Sequence, residues 1–268
     1  ISNSTGSSNK MNVISQLAKL NLQAGKIEEA LNLIRSAVDL SSTSDQLISY
    51  TFRLFLVYIY DGDYFNAIKE IDNFDRNLED FGFTEEEILK CKVALNNFKT
   101  IIYAHSNQKE RAFESFNIYK EFSNQLINFY GLKSNIDDQL KSFPGAGHVR
   151  WKESSPRSQL WHEIWINILL GNHNEAEKLQ DKFEKLYINR QRHWDGILTV
   201  LKGNSEKGYN ILRPMSFGYM QYFKAQALIS LGETDKAKSV LDSVRQLPEG
   251  NIFNNLVVKR SSKLFESL

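Results

Sequence analysis

The sequence predicts an all-α chain, a solenoid of stacked helical hairpins, and three observations carry that expectation. Apolar residues recur at three- and four-residue spacing over long stretches, with little of the strict alternation that marks half-buried strands. Pro occurs only four times in 268 residues, so little interrupts the helices. Between successive amphipathic runs a short pattern returns: a small or Gly residue, two to four polar residues, then Ala at the start of the next run.

The turn pattern appears as Ala24 to Ala30 (AGKIEEA), Asp61 to Ala67 (DGDYFNA), Leu170 to Ala176 (LGNHNEA) and Leu231 to Ala237 (LGETDKA). Gly25, Gly62, Gly171 and Gly232 each stand five residues before Ala30, Ala67, Ala176 and Ala237. Gly accepts the left-handed conformation that ends the first helix, and the polar residues after it cap and begin the second. Ala then lets the second helix approach the first closely, where a larger side chain would hold the backbones apart. Degenerate copies lie at Asn107 to Ala112 and at Gly203 to Gly208.

The phrases GKIEEAL, GDYFNAI and GETDKAK resemble the inter-helix turn of the tetratricopeptide repeat, a helix-turn-helix unit with a period of about 34 residues. The family also places an apolar residue four after the Ala and a small one seven after it; Ile34 and Ala37 match in the first copy, and Ile71 and Phe74 match in part in the second. The resemblance implies a right-handed α-solenoid of about six hairpins, with units near 11–44, 48–81, 93–126, 157–190, 191–217 and 218–251. Residues 1–10 are expected to be a disordered polar linker. The marked small residues are spaced irregularly, by 37, 45, 64, 32 and 29. The longest gap holds an insertion, 128–156, with an expected short helix over Ile136 to Ser142 and a loop from Phe143 to His148. Residues 252–268 read as a capping helix, with Leu256, Val257, Arg260, Leu264 and Leu268 at helical spacing.

Composition excludes several classes. The apolar fraction of 41% and charged fraction of 24% are those of a folding chain. A formal charge of +1 leaves no excess of basic residues to neutralise phosphates, which argues against nucleic acid as a partner. The single Cys91 permits no intramolecular disulfide and no thiolate metal cluster. The apolar runs Leu54 to Tyr60 and Ile164 to Leu170 are too short to span a bilayer and read as core helix. The chain is expected to be soluble, either cytoplasmic or exported with its signal removed, because it begins at Ile1 with the polar stretch ISNSTGSSN. Asn3-Ser4-Thr5 matches a glycosylation acceptor, a triplet that arises often by chance in such tails.

No catalytic residue, metal site or cofactor is expected. His162-Glu163 begins the HExxH motif of zinc proteases, but position 166 is Ile. His105, His148 and His193 fall in different segments without ligand spacing. Gly145-Ala146-Gly147 lacks the following Lys-Ser/Thr of a phosphate loop. Glu85, Glu86 and Glu87 follow Thr84 and read as a charged first helical turn with Thr84 as N-cap.

The aromatic residues carry the expectation of function. Trp151, Trp161, Trp165 and Trp194 all lie in one stretch, with Trp161 and Trp165 four apart on one helical face. In tetratricopeptide arrays the first helix of each unit lines a concave groove, and the resemblance points Phe52, Leu56, Tyr60, Asn97, Ile101, His105, Trp161, Trp165 and Tyr222 toward it. Such a surface suits a peptide or helix from another protein, because aromatics offer large contact area at low entropy cost. The competing expectation for each ring is inter-repeat core. The Lys, Asn and Arg set by which some family members hold a carboxylate is not reproduced, since Ser15, Lys19, Arg53, Ala94 and Phe98 occupy its positions. Two alternatives to a groove-binding scaffold remain: a structural subunit packed by its convex face or ends, and a small-molecule binder or hydrolase around His148, Arg150, Trp151 and His162. Partner identity and oligomeric state are not legible in the residues.

Overall fold

Six chain reversals of nearly identical geometry organise the molecule. The structure, a computed structural model, describes residues 2–130, 155–187, 192–216, 218–245 and 252–268. Among them are thirteen α-helices and no strand. The hairpins are α1 (Ser2–Gln23) with α2 (Ile27–Asp39), α3 (Ser44–Asp61) with α4 (Tyr64–Arg76), and α5 (Glu85–His105) with α6 (Lys109–Phe129). They continue as α7 (Pro156–Leu169) with α8 (His173–Tyr187), α9 (Arg192–Leu201) with α10 (Ser205–Leu212), and α11 (Gly218–Ser230) with α12 (Thr234–Arg245). The last helix is α13 (Ile252–Glu266).

At the corner of each hairpin one residue has positive φ, from +57° at Asn107 to +87° at Gly203. Its N–H reaches back three residues and the next N–H reaches back five, as in Gly62 to the Ile59 carbonyl (3.1 Å) and Asp63 to the Tyr58 carbonyl (2.9 Å). This is the double bond of a Schellman ending, which satisfies carbonyls that a helix terminus otherwise leaves orphaned. Asn107 serves where Gly is missing because Asn enters the left-handed region more readily than other side chains.

Five residues beyond the corner, Ala30, Ala67, Ala112, Ala176 and Ala237 all have 0% exposure. In the α9–α10 hairpin that position is Gly208, and the crossing is closer still: a Cβ there would meet Val200 Cγ2 at 2.4 Å, the Val200 amide nitrogen at 2.9 Å and the Gly196 carbonyl at 3.0 Å. The fifth hairpin departs from the alanine pattern for that reason. Even a methyl group is too large.

Caps set the other helix ends. The Thr84 hydroxyl accepts from Glu87 N–H (3.2 Å) while the Glu87 carboxylate accepts from Thr84 N–H (2.8 Å), a complete capping box for α5. Ser155 caps α7, with Pro156 at its first position. One expectation is corrected at the amino end: α1 starts at Ser2, so residues 2–10 are helical rather than an unstructured linker. The stretch contains no Pro, and extending a helix that is already nucleated costs far less than starting one. Most of the expected insertion, including Ile136 to Ser142 and the loop after it, lies outside the described residues.

Each helix packs on its successor, and first helices also meet directly, α5 with α7 and α9 with α11. One core of buried side chains runs from Ala18 in α1 through α11 to Leu256 and Val257 in α13. A second cluster joins α5, α6 and α7, and a third joins α11 and α12 with Leu264, Phe265 and Leu268 at the carboxyl end. The course of α13 is the unexpected feature: beyond its neighbours α11 and α12 it packs on α3 and α5, near the other end of the chain.

Gly208→Ala tests the close crossing. The substitution brings better helix propensity, but the obstructing atoms include backbone, which moves only with the whole hairpin. Overpacking is expected to win, lowering stability by about 1–3 kcal/mol in denaturant unfolding.

Candidate functional site

Helix α13 lies on the side of the array formed by first helices. Its principal partners are α3, α5 and α11, together with the adjoining α12. Leu256 and Val257 are fully buried against this face. Polar contacts hold the helix at two levels: Asn255 Nδ2 donates to the Leu56 carbonyl of α3 (3.2 Å), and Arg260 Nη2 donates to the His105 carbonyl of α5 (2.8 Å). Between them the Lys259 stem runs past the α3–α4 corner, where a Cβ on Gly62 would lie 3.1 Å from Lys259 Cγ.

Arg260 has no carboxylate partner among the described residues. Its bond goes to the last residue of α5, where unsatisfied carbonyls and the helix dipole concentrate negative potential. Lys224 is placed in the same way: nearly buried, it donates to the Arg213 carbonyl (3.2 Å) and the Met215 carbonyl just past α10. Burial pushes the Lys224 ammonium down from its usual pKa. Burial likewise raises the phenols of Tyr64, Tyr219 and Tyr222, and the Arg260 charge offsets part of that rise.

The nine residues assigned to the groove divide into two sets. Asn97, Ile101, His105 and Trp165 are buried. Asn97 Oδ1 meets His162 Nδ1 at 2.6 Å, and His105 Nδ1 meets the Tyr219 hydroxyl at 2.7 Å. These side chains join neighbouring hairpins and offer no surface to a partner, because the adjacent repeats and α13 cover the face on which the register places them. Phe52, Leu56, Tyr60, Trp161 and Tyr222 keep partial exposure. Phe52 packs edge-on against Phe98 at 5.3 Å.

The three described tryptophans form one cluster. Trp161 lies 5.8 Å from Trp165 and 6.3 Å from Trp194, Trp165 lies 5.5 Å from Tyr219, and Phe183 meets Trp194 edge-on at 5.2 Å. Trp194 has 0% exposure. The cluster is core where hairpins four, five and six meet, with Trp161 at its edge. His148, Arg150 and Trp151 lie outside the described residues.

Burial keeps His162, His105 and Cys91 in their neutral forms. His162 is stacked on Tyr119 at 5.4 Å, and burial holds its imidazole down at about 3. Burial does the same to His105, also to about 3, with Arg260 and Lys263 adding to the effect. Burial pushes the Cys91 thiol up to about 12, so it stays protonated. Among the described residues no group of three or more His, Cys, Asp or Glu could hold a metal ion, and no helix is long and apolar enough to cross a membrane.

Asn255, Arg260 and Lys224 were missed by sequence reasoning as organising residues. The available signal was polar residues on the apolar faces of α11 and α13. A periodicity argument treats those positions as noise, because the partners are backbone carbonyls 199 and 155 residues away for Asn255 and Arg260.

No model of a known family matches the chain, and no curated protein matches it in sequence. Among solved structures the chain is similar to a tetratricopeptide repeat protein from Parabacteroides merdae, at 15% identity and a TM-score of 0.38, over 97% of this chain and 88% of that one.

The buried imidazoles make stability pH-dependent. Folded His162 and His105 bind protons only near pH 3, whereas the unfolded chain binds them near 6.5. As pH falls below about 6.5 the unfolded state takes up protons first, so stability is complete above that value and declines below it. Each imidazole contributes at most about 1.4 kcal/mol per pH unit in that window. Urea midpoints measured at pH 7.5 and pH 5 should show the loss, and His162→Gln should flatten the dependence.

Proposed function

We propose that the chain is a non-catalytic protein-interaction scaffold whose first-helix face receives a peptide or helix, with Phe52, Leu56, Tyr60, Trp161 and Tyr222 as contact residues. The observation that carries this reading is α13, an amphipathic helix seated on α3, α5 and α11 through buried Leu256 and Val257 and two side-chain-to-backbone bonds. A surface that takes one helix in this way suits a partner helix of the same character in the same seat.

Val257→Asp places a charge in the middle of that contact and should release α13 while the hairpins stay folded. A synthetic peptide of residues 252–268 is then expected to bind the variant and to restore hydrogen-exchange protection in α3 and α5. A variant that remains helical by circular dichroism yet does not bind the peptide would refute the reading.

One observation favours a structural subunit as the second reading. On α1, Val13, Leu17 and Leu20 are 58%, 45% and 60% exposed and stand four and three residues apart, an apolar stripe at the end of the array. If that stripe is an assembly contact, Leu17→Lys combined with Leu20→Lys should abolish co-purification of a native partner at unchanged thermal stability. Unaltered co-purification would dispose of it.

A further inference from the structure

A hollow of about 220 Å³ is lined by α1, α2 and α3 and by Asn255 of α13. Among the described residues its lining contains two cations, Lys19 and Arg53, and no acidic residue. Neither cation makes an ion pair among the described residues, in contrast to Lys99, which is bound by Asp72 and Asp75.

Arg53 is nonetheless held in place. Its Nη1 donates to the buried Ser15 hydroxyl, and its guanidinium carbon lies 5.5 Å from the centre of the Tyr50 ring. A fixed guanidinium loses less conformational entropy on binding a ligand than a free one. Asn255, nearly buried, gives one of its two amide protons to the Leu56 carbonyl. Ala18 and Leu22 supply apolar lining beside the cations. The hollow has room for about seven waters at about 30 Å³ each, enough for a tetrahedral oxyanion and its immediate substituent.

We infer that this hollow is a binding site for a phosphate group, free or as a monoester, held by Lys19 and Arg53 and completed by Ser15 and Asn255. Two unopposed cations match a dianion better than a single carboxylate, and the hydroxyl and amide add neutral hydrogen bonds. The site forms only when α13 is docked, because Asn255 comes from that helix. It goes beyond the helix-binding reading and does not depend on it, since here α13 stays in its seat.

The test is calorimetric titration of the full chain with inorganic phosphate at constant ionic strength, repeated with free phosphoserine and with glutamate. Phosphate should bind, and Lys19→Ala and Arg53→Ala should each weaken it about tenfold, while Lys236→Ala, at an exposed position of α12, changes nothing. Phosphoserine binding tighter than phosphate assigns the group to a modified protein; phosphate binding tighter than phosphoserine assigns it to the free ion. Glutamate binding as tightly as phosphate, or phosphate affinity unchanged in both alanine variants that keep the wild-type melting temperature, overturns the assignment. Failure of the 252–268 peptide to bind the Val257→Asp chain bears only on the helix reading.

Discussion

The close approach of paired helices is the constraint on which the rest of the molecule depends. At six corners one residue with positive φ reverses the chain within two peptide units, which ties the direction of each second helix to that of the first. Five residues later the helices cross, and the side chain there decides how far apart they stand: a methyl group at five corners and a hydrogen atom at the sixth. With separation and direction set locally, the apolar faces of successive hairpins stack into one continuous core.

Such a stack leaves two problems, the ends of its helices and the face formed by its first helices, and α13 addresses both. Its apolar side covers α3 and α5, and its Arg260 supplies positive charge to the carbonyl end of α5. Lys224 does the same past α10. Burying a cation without a counter-ion is costly, yet a helix terminus offers orphan carbonyls whose own burial would otherwise be costly, so the two groups neutralise each other's penalty. Placed this way, the interior cations require no acidic partner. Lys19 and Arg53 differ, since among the described residues no acid lines their hollow.

The aromatic residues illustrate how a repeat register misleads when an array curves onto its own last helix. Trp161, Trp165 and Tyr222 were expected on one groove-lining face, and the sequence cannot distinguish a groove wall from a contact between hairpins. Trp165 became core because hairpins four to six converge on it, with His193, Trp194 and Tyr219 gathered around. Trp161, one turn earlier, stayed at the margin.

Much that is set by contacts within about seven residues could be read from the chain: the helical periodicity, the left-handed corners at Gly25, Gly62, Gly171 and Gly232, the small residues that follow, and the Thr84 cap. Those features depend on steric limits of a short backbone segment, which residue identity alone specifies. The seat of α13, the burial of His105 and Trp165, and the juxtaposition of Lys19, Arg53 and Asn255 were decided only by tertiary structure. They depend on contacts between helices far apart in the chain, which no local pattern encodes.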